Sequence, residues 1–264
     1  MNALLIDQMI LSNQQLFSPF ALTDVLSEFA GDNDQELIHF WQLEQTFILG
    51  MKDARVPDLS AGLLTVQQKA YQPILRNAGG LGVVSDKGIL NVSLIVPNHG
   101  LSIDAGYEKM VAWLRATWPE LTIEAGEIAT SYCPGKYDLA VAGKKIAGIA
   151  QRRVKNGAAI MLYLSVNGDQ RKRGELVRTF YEQSQADTKK IYPAVDPSSM
   201  ATLSQLLGRS LSIAEAKQQL LATRDVHDQS QKVELFFETP DYQQRLKNMV
   251  ARNQIIKEHL HDEL

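Results

Sequence analysis

Between Gly88 and Pro97 the chain alternates with a period of two, so that Leu90, Val92, Leu94 and Val96 share one face. A run of this kind, closed by a glycine and a proline, reads as a strand with one face in a core. Similar segments surround it. Gln45 to Gly50 reads as a short strand, and Pro73 to Arg76 and Val83-Val84 flank a glycine-rich turn. Asp138 to Val141 and Lys144 to Ala150 flank a turn at Ala142-Gly143, and Ala158 to Val166 is β-rich before Asn167-Gly168-Asp169. Helical patterns are interspersed. Ser18-Pro19 opens a helix near 19–29 with Phe20, Val25, Leu26 and Phe29 on a stripe. Asp104 caps a second, with Tyr107, Met110, Val111, Leu114 and Trp118 at helical spacing, and Leu176, Val177, Phe180 and Tyr181 mark a third. Hairpins with helices between them predict an α+β fold, with mixed and antiparallel sheets flanked by helices. No βαβ nucleotide-binding unit of the dehydrogenase kind is present.

After Pro193 the pattern becomes helical. Residues 199–222 read as helix interrupted at Gly208, and Thr239-Pro240 starts a long amphipathic helix. Tyr242, Leu246, Met249, Val250, Asn253, Ile256 and Leu260 fall down one side of it. The expected organisation is one domain over 1–222, with its core at about 33–222, and a C-terminal helical extension over 223–264.

A chain of 264 residues can bury a core without disulfides, and its one cysteine cannot form an internal one. That points to a reducing compartment, the cytoplasm. The first residues lack the basic start of a signal peptide, and no apolar stretch reaches the ~18 residues of a membrane span. The end, His261-Asp262-Glu263-Leu264, spells an endoplasmic-reticulum retention signal, which has no use without an entry signal. A formal net charge of −3 argues against a general polyanion binder, and so against nucleic acid.

Cys133 carries the chemistry that remains. It stands in Ser131-Tyr132-Cys133-Pro134-Gly135, where Pro134 lacks an amide hydrogen and Gly135 permits a positive φ, so the thiol is expected at a turn. If 138–150 is a hairpin, Lys145 returns toward that turn. An ammonium there would favour the thiolate, the reactive form of cysteine. The plainer alternative is a buried structural thiol and a solvated lysine. The turn Arg76-Asn77-Ala78-Gly79-Gly80-Leu81-Gly82 lacks the Walker spacing. It is either a tight hairpin turn or a place where backbone amides meet a ligand. His39, His99, His227, His259 and His261 show no metal-ligand spacing, so no metal is expected. There is no Gly-x-Ser-x-Gly elbow. Arg152, Arg153 and Lys155 form a basic cluster that suits either an edge strand guarded against pairing or an acidic partner. A second cluster is Arg171-Lys172-Arg173.

The stretch from Arg76 to Val84, with Asp86 and Gly88-Ile89-Leu90-Asn91, resembles the signature of the biotin/lipoate protein ligase superfamily. Ser131 to Leu139, with Gly143-Lys144-Lys145-Ile146-Ala147-Gly148-Ile149-Ala150-Gln151-Arg152-Arg153, is similar to a narrower branch, the octanoyl-[glycine cleavage H protein]:protein N-octanoyltransferases, which are lipoate-assembly amidotransferases. The resemblance continues from Phe20-Ala21-Leu22 through Asp53 to Pro57 and on to about Leu207.

That resemblance implies a biotin/lipoate ligase-like catalytic fold. It implies that Cys133 carries an octanoyl or lipoyl group as a thioester and that Lys145 lowers its pKa. Arg76, Gly79 and Gly80 would line the acyl pocket, and Gly148 would lie against the reacting carbonyl. The donor would be acylated glycine cleavage H protein and the acceptors E2 lipoyl domains of 2-oxoacid dehydrogenases. Arg152, Arg153 and Lys155 would steer those carriers. Asn77 and Leu81 depart from the basic pair and glycine run of ATP-using ligases, so neither ATP nor another cofactor is expected. The rival readings are an ATP-dependent lipoate or biotin ligase and a carrier-binding module without turnover.

Overall fold

The computed structural model describes residues 2–188 and 191–260, so the retention-like tetrapeptide at 261–264 lies outside the described residues. In chain order the strands are β1 (Ala3–Leu11), β2 (Leu37–Leu43), β3 (Thr46–Leu49), β4 (Gln72–Leu75), β5 (Val83–Ser85), β6 (Ile89–Pro97), β7 (Glu124–Ala125), β8 (Asp138–Val141), β9 (Lys144–Val154), β10 (Gly157–Ser165) and β11 (Val226–Asp228). The main sheet runs β11-β1-β2-β6-β10-β9-β8-β7. β1 pairs in parallel with β11 and β2, and every pairing from β2 to β7 is antiparallel. A second, three-stranded sheet sets β3 between β4, its parallel neighbour, and β5, its antiparallel one. This is the expected α+β arrangement.

The helices are α1 (Ser18–Asn33), α2 (Leu59–Gln68), α3 (Ile103–Thr117), α4 (Gln170–Gln183), α5 (Leu203–Leu207), α6 (Ile213–Ala222), α7 (Val233–Phe237), α8 (Pro240–Arg252) and α9 (Gln254–Leu260). On one face of the main sheet, Val92, Leu94, Ile160 and Leu162 pack with Trp113 and Leu114 of α3 and Leu220 of α6. On the other face, α1 covers Ile95 and Ala159 with Leu22 and Leu26, and Tyr242 of α8 joins that cluster. Beside α1, the small sheet joins α2 and α4 around Phe47, Leu63, Val84, Val177 and Phe180. The two faces explain the alternation of β6: its residues feed two different cores.

Three local expectations change. Ser102, rather than Asp104, caps α3, because its hydroxyl accepts the Ala105 amide. Asp104 instead accepts from Lys136 and Tyr137. β4 and β5 are not a hairpin, since residues 76–82 cross over β3. The long C-terminal helix breaks at Asn253, whose buried side chain bonds the backbone of Leu75 in β4. Among the described residues no helix is long and apolar enough to cross a membrane, and no group of three or more His, Cys, Asp or Glu could hold a metal.

Candidate active site

Trp41, Asn91, Tyr163, Gly148 and Asp138 are register partners across five adjacent strands, β2, β6, β10, β9 and β8. Partners in register point to the same face of a sheet. This row lines a cavity of about 380 Å³. Phe20 from α1, the turn 76–80 and Cys133 line it as well.

Lys145 lines the same cavity, which a regular strand would not allow. It lies an odd number of residues from Gly148, so period-two geometry would turn it to the opposite face. The register of β8 with β9 slips between Leu139 and Ala140, and this bulge pairs Lys145 with Ala140. Bulges re-aim side chains in this way. Ile146 and Ala147 both enter the core on the far face as a result.

The ammonium of Lys145 is buried and fully occupied. It bonds Asp138 Oδ1 at 2.8 Å, Ser131 Oγ at 3.1 Å, the Tyr132 carbonyl at 3.0 Å and the Cys133 carbonyl at 2.9 Å. The other oxygen of Asp138 accepts the amides of Ile128 and Gly135. Burial pushes the Asp138 carboxyl above the usual carboxylate range, and Lys145 opposes that push.

The backbone of Cys133 is unusual. Its φ is +47°, in the left-handed region that side-chain-bearing residues rarely adopt. The positive φ expected of Gly135 falls on the cysteine itself. The bond from Lys145 to its carbonyl holds it there. The sulfur meets two other donors: the Leu81 amide at 3.2 Å and Arg76 Nη2 at 3.7 Å. The same Arg76 nitrogen donates to the carbonyls of Gly79 at 2.8 Å and Leu81 at 3.1 Å, which closes the turn. Gly80, at φ +93°, has no room for a side chain. A Cβ there would lie 2.4 Å from Arg76 Nη2 and 3.1 Å from Cys133 Sγ. A Cβ at Gly79 would meet nothing within 4 Å, and one at Gly148 would make ordinary contact with Lys145 and Asp138.

Under the turn lies Asp53, fully buried. It accepts the Gly50 amide at 2.7 Å and the Tyr181 hydroxyl at 3.0 Å, and burial raises its pKa to about 6. A Cβ on Gly50 would collide with the Gly80 carbonyl, so this turn rests directly on the one held by Arg76.

The basic cluster is drawn into the body of the chain. Arg152 pairs with Asp24 of α1 and bonds the Asn77 carbonyl, and Lys155 pairs with Glu28 at 2.7 Å. Arg153 is exposed and bonds Asn98 and the Leu101 carbonyl. Arg152 and Arg153 stand on β9, which lies inside the sheet, and Lys155 on the turn that follows, so guarding an edge is not their role.

Residues 15–224 match the lipoyl protein ligase A/B catalytic domain. The chain belongs to that family. Within the ligase A/B family it is 40% identical, over 245 residues, to an Oceanobacillus iheyensis protein named octanoyl-[GcvH]:protein N-octanoyltransferase, covering 89% of this chain and 87% of that one. It is 40% identical to a Listeria monocytogenes protein named lipoyl-[GcvH]:protein N-lipoyltransferase, over 74% of this chain and 72% of that one. The fold of the ligase A/B domain is confirmed by a crystal structure of lipoate-protein ligase A bound with ATP, with a TM-score of 0.71 at 15% identity over the whole of both chains.

The structure brings Cys133, Lys145, Arg76, Gly80 and Gly148 to one cavity. Sequence reasoning missed Asp138 as the counter-ion of Lys145 and the Leu81 amide at the sulfur. Asp138 lies at the start of the hairpin that returns Lys145, and a buried lysine needs a carboxylate. That was the available signal.

Proposed function

We propose that this protein transfers an octanoyl or lipoyl group between protein lysines through a thioester at Cys133. The donor is the acylated lysine of glycine cleavage H protein, and the acceptors are lysines of E2 lipoyl domains. The Cys133 thiolate attacks the carbonyl carbon of the donor amide, forming a C–S bond. The C–N bond then breaks, and the donor amine leaves with the proton the thiol gave up. The neutral amine of the acceptor lysine attacks the thioester, the C–S bond breaks, and the proton it releases balances the first. One amide replaces another, so no nucleotide or other cofactor is required. Covalent catalysis divides the exchange into two easier steps.

The observation that carries this reading is the sulfur of Cys133 between the Leu81 amide and Arg76, at the edge of a largely apolar cavity. Both donors are placed to hold negative charge on the sulfur as the reaction develops it. Lys145 holds the nucleophile's backbone and adds positive charge near the reacting carbon, where negative charge grows on the carbonyl oxygen. Gly148, free of a side chain, leaves room beside it. An octanoyl tail buried in the cavity contributes on the order of 5 kcal/mol at ~0.8 per methylene. Relatives named for both acyl groups fit a slot of this kind, which separates similar chains weakly.

The reading carries a cytoplasmic setting with it, as an unpaired reactive thiol requires. It also gives residues 1–222 the transfer chemistry and 223–264 a supporting place. Arg153 and Lys155, with exposed side chains, are assigned the steering of acidic carriers, with Arg152 behind them.

The test separates transfer from ligation. Octanoylated H protein and a lipoyl domain, mixed with the enzyme without nucleotide, should yield octanoylated lipoyl domain. Free octanoate with ATP should yield none. The reverse pattern would make the protein a ligase.

A further inference from the structure

The family match ends at residue 224, yet the chain beyond it returns to the catalytic turn. β4 is an edge strand, and its last residue, Leu75, precedes Arg76. The Arg76 amide bonds β3 through the Leu49 carbonyl, so the amide and carbonyl of Leu75 face away from the sheet. Asn253, 3% exposed, takes the place of the missing strand. Its Oδ1 accepts the Leu75 amide at 2.6 Å, and its Nδ2 donates to the Leu75 carbonyl at 2.9 Å. α8 holds the other side of Arg76. Arg245 donates to Asp24 Oδ2 at 3.2 Å and pairs with Glu28. That same Asp24 oxygen accepts from the side chain of Asn77, and Arg152 links Asp24 to the Asn77 carbonyl. Residues 75 and 77 are therefore both anchored by the C-terminal helices, one directly and one through Asp24. Arg76, the residue between them, points its guanidinium at the sulfur.

We propose that Asn253 and Arg245 are positioning residues for Arg76, so that the C-terminal helices set the reactivity of the Cys133 thiol. The geometry is independent of the acyl-transfer reading, and only its catalytic consequence rests on that reading. An amide that reproduces the two bonds of a strand partner fixes the backbone of Leu75 within hydrogen-bond tolerance. Without it the edge is free to move, and Arg76 moves with it. A small displacement of the guanidinium takes a donor away from the sulfur.

The test is the rate of alkylation by iodoacetamide against pH on the full chain, in which Cys133 is the one cysteine. Asn253→Ala should slow alkylation at neutral pH by roughly tenfold, because the donor beside the sulfur is displaced. The turnover rate should fall by a similar factor, with KM for the acceptor domain unchanged. Arg245→Ala should slow alkylation by less, and Arg245→Lys should restore the rate. If Asn253→Ala does not fold, the two Arg245 variants decide alone. Folded variants whose alkylation profile and turnover equal the wild type's would overturn the proposal. Alkylation needs no acyl donor, so failure of the acyl-transfer reading shows separately, as a wild type that alkylates but never takes up an acyl group.

Discussion

Lys145 donates to the carbonyl oxygen of Cys133 at 2.9 Å, gripping the main chain there while Asp138 neutralises the ammonium at 2.8 Å. Its contact is with the backbone of Cys133, and the cation on the sulfur side is Arg76. The two cations therefore have separable effects.

Replacing Lys145 with methionine leaves Asp138 buried without its counter-ion. Removing one partner of a buried pair costs about 3 kcal/mol or more, and urea denaturation should read that loss. Asp138→Asn added to Lys145→Met should recover part of it. Transfer should fall about 100-fold in both, because the left-handed backbone of Cys133 loses its holder and a misplacement near 1 Å costs that much.

Arg76→Met should act on the sulfur instead. The expected result is slower alkylation of Cys133 with little change in stability, since among the described residues Arg76 forms hydrogen bonds but no ion pair within 4 Å. Alkylation against pH and urea denaturation on the same sample separate it from Lys145→Met.

Gly80→Ala should all but abolish transfer while the chain still folds. The added carbon meets the arginine and the sulfur together, at a φ of +93° that itself costs about 1–3 kcal/mol for alanine. Gly79→Ala, whose added carbon meets nothing within 4 Å, should lose far less. Turnover of the pair in one assay checks this.

Acid should destabilise the fold through His39. It is fully buried between Thr23 and Gln8, and burial lowers its pKa from 6.5 to about 3. The unfolded chain binds that proton more readily than the folded one. The group's contribution is thus whole above pH 6.5 and is lost as pH falls toward 3. At pH 4.5 the loss is about 3 kcal/mol, at 1.36 per unit. Asp53 works in the opposite sense, because its raised pKa favours the folded chain below 3.8 and that advantage is lost as pH rises through about 6. Urea midpoints at pH 7 and 4.5 should converge in His39→Gln relative to the wild type.

The hairpin that returns Lys145 to Cys133 is legible in the sequence because its turn and alternation are local. So are α1, β6, β10 and the break at Gly208, which ends α5 at φ +65°. β2 is not, because every residue from Leu37 to Leu43 is buried and no alternation marks it. The flanking of β3 by β4 and β5 escapes for another reason, since pairing across a loop leaves no periodic trace. The bulge that aims Lys145 inward depends on one extra residue, Ile146, in its own strand. Asn253 reads as one more position on a helical face, and only the free edge of β4 gives it a task.

An acyl group held on Cys133 adds its mass to the intact protein. The intact protein, incubated with octanoylated H protein and no acceptor, should gain one octanoyl group. Hydroxylamine should remove it, and Cys133→Ala should never acquire it. An unmodified wild type that nonetheless octanoylates a lipoyl domain would contradict the account, because the acyl group would then pass from lysine to lysine without resting on the sulfur.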